Sequence, residues 1–447
     1  MLKVLRKIIR PQGSRTQLPQ ESDPPLSLIL NVSPKRAHAS LPPPPSIWTI
    51  PLPPDLLFSI IDHHFVGDQS TLRALSNTCR VLAIYCRRLI YRSVAIGHRD
   101  RGPLSKKKKP AIAFAELLRG FPGIVEYIED LQILDGGCRM FEGSRPITEE
   151  EQSLCFILTR PMKHLKRLEL MLNVVWTLIP TPLQEALCTA FRLPSICTLS
   201  IDKLRFPVNF LDLFQDLGHI EFSGEAAAPI MATTLPHTTQ LVKPETLTLT
   251  DWTGVNVKYL FSFNSPLRLS RLRCLQFRGC GSAMSDHLQL CSSLTVLKLF
   301  LAEFHPQNLN ALRSLTFLTL SQDLVSPPLW AKPTKQFQWM LSTLATCSQP
   351  NVIEGIRIIL QTPYLARCEE SDWSGLDALL TAPSGWPCLK SLEVVSLTAK
   401  PEIEWSGVDY LDRISPPFLP LLVRCGVEVS VTRVYQCQTG FGDYWLS

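Results

Sequence analysis

The feature of this chain that most restricts its fold is a short phrase that recurs from residue 128 onwards: an apolar residue, two others, an apolar residue, one other, an apolar residue. It reads Ile128/Leu131/Ile133, Leu165/Leu168/Leu170, Ile196/Leu199/Ile201, Leu272/Leu275/Phe277, Leu294/Leu297/Leu299, Leu315/Leu318/Leu320, Ile353/Ile356/Ile358 and Leu389/Leu392/Val394. Shorter forms, Ile220/Phe222, Leu247/Leu249 and Val427/Val429, fill most of the gaps. The alternation at the end of each phrase is that of a strand whose every second side chain enters a core while those between face away. Units this short cannot bury an apolar face singly, so they must stack. The middle positions step by 37, 31, 21, 27, 28, 22, 21, 38, 36 and 35 residues. Several steps lie in or near the range of about 20–29 residues usual for a strand-and-turn repeat, and the longer ones leave room for a helix. The expected fold class is α/β: parallel strands with helices, stacked as an irregular solenoid over residues 111–447 and preceded by a helix at Ile112–Arg119. The alternative is a set of unrelated buried strands in an ordinary α/β domain.

Composition supports a large core and narrows the setting. The 447 residues are 45% hydrophobic and 19% charged, which fits a globular chain. The longest nearly apolar stretch, Met171 to Ile179, is broken by Asn173 and Thr177 and falls far short of the ~20 residues of a membrane helix; no membrane partner is expected. The 14 cysteines are scattered singly from Cys79 to Cys437 without Cys-x-x-Cys, which favours a reducing compartment, cytoplasmic and/or nuclear. The opening MLKVLRKIIR has no apolar core of a secretory signal; its alternation of apolar and basic residues leaves a mitochondrial presequence as the minor reading.

Charge divides the chain. Residues 1–110 hold 18 Lys and Arg against 6 Asp and Glu, so the excess of 45 over 39 in the whole chain is a property of the front end. Most of it lies in a Pro-rich basic leader, 1–49, expected to be disordered, and in a basic linker, 97–110, containing Lys106–Lys109. The lysine run has the composition of a nuclear import signal or of an exposed loop. No aromatic or Gly-rich reading element accompanies it, so nucleic acid is not an expected partner.

Between leader and linker, residues 50–96 read as three short helices. Pro53 and Pro54 start the first, Asp55 sits in its first turn, and Leu56, Leu57, Ile60 and Ile61 follow at helical spacing to an end near His64. Gly67 and Asp68 break the chain, Ser70 or Thr71 caps a second helix carrying Leu72 and Leu75, and Leu82, Cys86 and Leu89 mark a third. Tyr91 to Ile96 then runs extended. Leu52-Pro53-Pro54, Asp55-Leu56-Leu57, Ile60, Cys79-Arg80 and Leu89-Ile90-Tyr91-Arg92-Ser93-Val94 resemble the pattern of an F-box over about 45 residues, with Leu82 where many such modules carry Trp. The resemblance implies docking to the Skp-type adaptor of a cullin-RING ubiquitin ligase, with Leu52, Pro53, Pro54, Leu56, Leu57 and Ile60 entering the adaptor's groove. The alternative is a helical cap on the repeats.

The recurring phrases in turn resemble divergent leucine-rich repeats. The family's Asn or Cys three residues after the last apolar position is met by Asn173 and Cys280 and missed by Trp252, Ala302 and Asp323. Such a domain implies a protein-binding sheet face, whose candidate residues are Glu169, Thr248, Gln276, Arg278, Lys298, Phe300, Thr319, Arg357 and Glu393. Phe300 stands out, because an aromatic at an outward strand position serves as an anchor or is covered by a loop. Trp176 and Trp252 read as packing residues.

Catalytic motifs are missing from the sequence. Gly279-Cys280-Gly281 lacks the remaining glycine and the Lys-Ser or Lys-Thr of a phosphate cradle, and there is no Gly-x-Ser-x-Gly or His-Glu-x-x-His. His63 and His64, being adjacent, cannot both face one metal as an i, i+4 pair does. No catalytic residue, metal or cofactor is therefore expected. The expected function is a non-catalytic substrate receptor of a Skp-cullin-F-box ligase that bridges the adaptor and a target protein for ubiquitin-dependent degradation. The alternative is a leucine-rich scaffold or recognition protein with no ligase role.

Overall fold

The computed structural model describes residues 53–97, 110–134, 146–224 apart from 205, 207 and 215, 242–252, 260–261, 267–301 apart from 280–283 and 285, 305–322, 333–361 apart from 348 and 349, 368, 370–398 apart from 383 and 384, and 419–435. The leader 1–49, Leu52, Lys106–Lys109, Cys280, Ala302 and Asp323 lie outside the described residues. The chain forms two compact units, divided between Ile90 and Tyr91.

The first unit is built from α1 (Pro54–His64), α2 (Gln69–Ser76) and most of α3 (Arg80–Tyr91). Pro54 at the first helical position has no amide that a helix would need, and its fixed φ suits the start. The cap of α2 is Asp68, not Ser70 or Thr71: its carboxylate accepts the Thr71 amide at 3.1 Å and the two hydroxyls at 2.6 and 2.7 Å. A carboxylate two residues before Ser70 and three before Thr71 reaches an orphan amide of the first turn and adds charge at the positive end of the helix. Ile61, Leu72, Leu75, Leu82 and Cys86 form the buried centre, with Phe58 stacked on Tyr85 at 4.1 Å between ring centroids.

The second unit carries one parallel sheet of twelve strands whose spatial order is their sequence order, the arrangement of a stacked solenoid. The strands are β1 (Ser93–Gly97), β2 (Asp130–Leu134), β3 (Arg167–Met171), β4 (Thr198–Asp202), β5 (His219–Ser223), β6 (Thr246–Trp252), β7 (Cys274–Gly279), β8 (Val296–Leu301), β9 (Phe317–Gln322), β10 (Gly355–Gln361), β11 (Ser391–Thr398) and β12 (Glu428–Tyr435). Residues 93–97, expected as the exit from the helical module, are the first strand and pair with β2. In β12 the register sets Val429 and Val431 beside Leu392 and Val394, two residues later than the Val427/Val429 phrase. Val427, Val429 and Val431 alternate without a break, so the apolar pattern alone fits either register.

Two columns of side chains run through the stack. Leu131, Leu168, Leu199, Ile220, Leu247, Leu275, Leu297, Leu318, Ile356 and Leu392 form one; Ile133, Leu170, Ile201, Phe222, Leu249, Phe277, Leu299, Leu320, Ile358 and Val394 form the other, and each is at most 2% exposed. Complete burial of such a side chain contributes roughly 1.5–3 kcal/mol, so each rung holds its neighbours in register.

The covering layer follows the length of the intervals. Long steps carry α-helices: α5 (Glu149–Leu158) precedes β3, α6 (Thr181–Phe191) precedes β4, α7 (Pro333–Ala345) precedes β10 and α8 (Glu370–Leu380) precedes β11, while α4 (Pro110–Gly120) stands before β2. Shorter steps carry 3-10 turns, as at Val208–Leu213, Leu269–Arg271 and Leu288–Leu290. Trp176 is buried against Phe191 and Phe210 and is a packing residue. Asn173, by contrast, is exposed, so this position holds no buried turn amide.

The last helix among the described residues, α9 (Pro420–Arg424), has no side-chain cap of its own. Its Leu421 and Leu422 amides donate instead to the buried Asp377 carboxylate of α8, at 3.0 and 2.9 Å. Asp377→Ala would leave both donors unserved, at about 1–3 kcal/mol each for a buried group. Guanidinium unfolding of the full chain is expected to show a loss of ~2–4 kcal/mol; a loss below about 1 kcal/mol would mean that the helix finds another acceptor.

Candidate functional site

Two surfaces present side chains that packing does not consume. The first is on α1. Ile61 points into the small helical core, and Phe58 and Phe65 pack beside it. The half-buried Leu57, expected to enter an adaptor groove, packs on the same core. Turning away from it, Pro53, Pro54 and Asp55 are exposed, Leu56 is 57% exposed, and Ile60 is half-buried. The spacing Leu56/Ile60 puts an apolar stripe on one side of the helix. On α3, Val81 and Ile84 are 57% and 54% exposed at i, i+3. Sequence reading did not single out this second pair, although an apolar pair lying off the Leu82/Cys86/Leu89 stripe is a visible signal. His63 and His64 are exposed, and a His63 ring nitrogen lies 2.7 Å from the Ser59 carbonyl oxygen; both sit at the negative end of the helix. Tyr85 is pushed up to about 12 by burial, then by its hydrogen bond to Asp62, so the stacked phenol remains a neutral donor.

The second surface is the sheet face opposite the two core columns, here the front face. It carries the residues between the columns. Glu169, Thr248 and Thr319 are buried there, Gln276, Arg278, Lys298, Arg357 and Glu393 are half-buried, and Phe300 is only 6% exposed. Phe300 is thus no accessible anchor: with Ile359, Val395, Leu397 and the partly buried Val434 it forms a second apolar cluster. The signal was present as doublets, Leu299-Phe300, Ile358-Ile359 and Val394-Val395, since a strand apolar at consecutive positions is buried on both faces.

Polar pairs organise the rest of the face. Glu129 takes Arg92 at 3.3 Å and Lys166 at 3.1 Å, Arg167 reaches Glu169 at 3.3 Å, and Arg357 Nε lies 2.6 Å from Glu393. Such part-exposed pairs contribute about 0–1 kcal/mol each and serve chiefly to fix side-chain direction. Burial pushes the His219 imidazole down from its ordinary value, with Glu221 opposing and Arg167 reinforcing the shift. Phe317 is the accessible aromatic that the sequence reading overlooked. It is half-buried, and its ring lies against Gly355 of the next strand.

Several of the thiols are packing groups, whereas Cys79, Cys197 and Cys425 are exposed. Burial pushes Cys291, Cys347 and Cys368 up to about 12, so they stay protonated at neutral pH. Among the described residues no group of three or more His, Cys, Asp or Glu is placed to hold a metal, and no helix is long and apolar enough to cross a membrane. No protein-family model matches the chain, and no curated protein matches it in sequence.

Two measurements check this geometry. The Asp68 carboxyl is held down at about 2, against an ordinary 3.8, by its hydrogen bonds from Ser70 and then Thr71. A depressed carboxyl stabilises fully above its unfolded pKa, and that contribution is lost as pH falls through the folded value. Carbon NMR of the Asp68 carboxyl is expected to give a midpoint near 2, and a midpoint near 3.8 would show that the cap does not form. At Gly355, an added Cβ would lie 2.8 and 2.9 Å from two Phe317 ring carbons and 3.2 Å from Ser391 Oγ. Gly355→Ala is expected to displace the ring and cost ~1–3 kcal/mol in denaturant unfolding; unchanged stability with unchanged Phe317 ring shifts would contradict the contact.

Proposed function

We propose that this chain is the non-catalytic substrate receptor of a Skp-cullin-F-box type ubiquitin ligase. Its α1 unit docks a Skp-type adaptor, and through it a cullin-RING ligase, while the front face of the sheet, read as divergent leucine-rich repeats, holds a target protein for ubiquitin transfer. The observation that carries this reading is the two-sided first helix. Its inner side fills a core made from the unit's own residues, and its outer side displays Leu56 beside Pro53 and Ile60, the positions that an F-box uses for its adaptor. An apolar stripe on a short, Pro-opened helix is costly to leave in water and gives a partner a ready anchor.

The mechanism requires no reacting group from this chain. Holding target and ligase on one molecule raises their effective concentration, so transfer is accelerated by proximity. The reducing-compartment pattern of cysteines scattered singly along the sequence suits a cytoplasmic and/or nuclear setting of such a ligase.

The test separates docking from folding. Leu56 is 57% exposed, so Leu56→Ala is expected to change unfolding stability by less than about 0.5 kcal/mol. If the side chain enters the adaptor groove, the same change should weaken adaptor binding by the full chain about tenfold or more, and Ile60→Ala should act in the same direction. Isothermal calorimetry with the purified adaptor decides it. Absence of binding by the unaltered chain, or equal affinity of the Leu56 variant, removes the ligase assignment.

A further inference from the structure

The front face of β8–β10 buries a polar group that nothing nearby satisfies. Thr319, in the middle of β9, is 2% exposed, and its Oγ1 is buried without a hydrogen-bond partner. Strand alternation puts it on the front face, because Leu318 and Leu320 on either side belong to the core. Parallel register sets Lys298 of β8 on one side of it and Arg357 of β10 on the other. Phe317 lies two residues before it on the same strand and face.

The two cations differ in what answers them. Arg357 is already paired with Glu393, whose second oxygen takes the Thr432 hydroxyl at 3.4 Å. For Lys298, half-buried, no carboxylate among the described residues serves as an ion-pair partner. Its charge acts on the Cys274 thiol, where it opposes the upward push of burial. A half-buried lysine side chain whose charge has no carboxylate partner among the described residues, and a buried hydroxyl without a partner, are both groups that an anionic oxygen would satisfy. One anionic oxygen group over Thr319 relieves both once the long side chains flanking this short residue part to admit it, accepting from the Lys298 ammonium and the Thr319 hydroxyl together.

We infer that the row Lys298–Thr319–Arg357 is a binding site for the carboxylate of an acidic side chain on the target protein. This rests on the reading of the front face as the target-binding surface. The charge balance selects the anion: among the described residues one cation has no carboxylate partner and the other is neutralised by Glu393, so the site matches a single negative charge. A phosphate dianion would bring its second charge beside the Glu393 carboxylate. Phe317, half-exposed beside the row, supplies an apolar contact for a residue next to the acid.

The test uses the full-length chain and a displayed library of random dodecapeptides, from which binders are recovered and synthesised. Recovered peptides are expected to share an Asp or Glu whose replacement by Asn or Gln weakens binding about tenfold. Lys298→Met should weaken it by a similar factor, and the two losses should not add, because both remove the same pair. Thr319→Val, which keeps the shape and deletes the hydroxyl, should weaken binding several-fold; Lys298→Gln serves as the second variant if Lys298→Met lowers the unfolding midpoint. The inference is overturned if no peptide is recovered, if binders show no acidic preference, if the Lys298 and acid losses add, or if a phosphoserine version binds more than about tenfold tighter than the Glu version. Adaptor affinity measured on the same preparations distinguishes the two readings. Intact adaptor binding without acid-dependent peptides sinks this site alone, whereas acid-dependent peptides without adaptor binding sink the ligase assignment and leave the site standing.

Discussion

Everything in the second unit depends on the lateral pairing of short parallel strands over two shared columns of Leu, Ile, Phe and Val. A single strand of five residues with two inward side chains has no independent stability, since the entropy of ordering it is comparable to what its burial returns. Placed between two like strands, the same residues are at most 2% exposed from β2 to β11. Every rung therefore relies on its neighbours, and slippage by one residue would exchange the core columns for Gln132, Glu169, Lys298 or Arg357. The front face is a by-product of that constraint. Once the columns are fixed, the residues between them stand in rows whose neighbours are dictated by register and not by sequence proximity.

How much of this could be read beforehand follows from the same physics. The apolar phrases locate β2 to β11 because burial demands alternation, and the interval lengths separate helical steps from 3-10 steps. The signal weakens where alternation is ambiguous or satisfied too well. Val427, Val429 and Val431 support two registers, and the choice between them is made by β11 through Leu392 and Val394. Residues 93–97 carry one weak pair, Val94 and Ile96, and gain their identity as a strand from β2 alone. The Asp68 cap was overlooked because Gly67-Asp68 reads first as a break, although a carboxylate before Ser70 and Thr71 is also a strong start.

The front face was legible in position but not in accessibility. All nine candidate residues lie between or just beyond the core columns, yet their exposure ranges from the half-buried Lys298 to Thr319 at 2% and Phe300 at 6%. A strand pattern says which way a side chain leaves the backbone, and it is silent about the length of the neighbours in adjacent rows. Thr319 is short and stands between two long cations; Phe300 stands in a row that continues through Ile359 and Val395. Conversely, Phe317 had no claim on attention until Gly355 was found beside it, removing the side chain that would otherwise occupy the ring's place.

These features divide the front face into regions with different capacities. Towards the strand ends of β8–β12, the Phe300 cluster is already buried and has little apolar surface left to give a partner. At the strand starts, Glu129 and Glu354 answer Arg92, Lys166 and Lys390, so charge is satisfied within the chain. Between them, the Lys298–Thr319 neighbourhood has a charge with no carboxylate partner among the described residues and an unpartnered hydroxyl beside a half-exposed ring. Recognition draws its specificity from groups that lose more when left unpaired than they gain when paired. On that criterion the middle row, and not the most apolar or most charged part of the face, is where a partner's chemistry matters most.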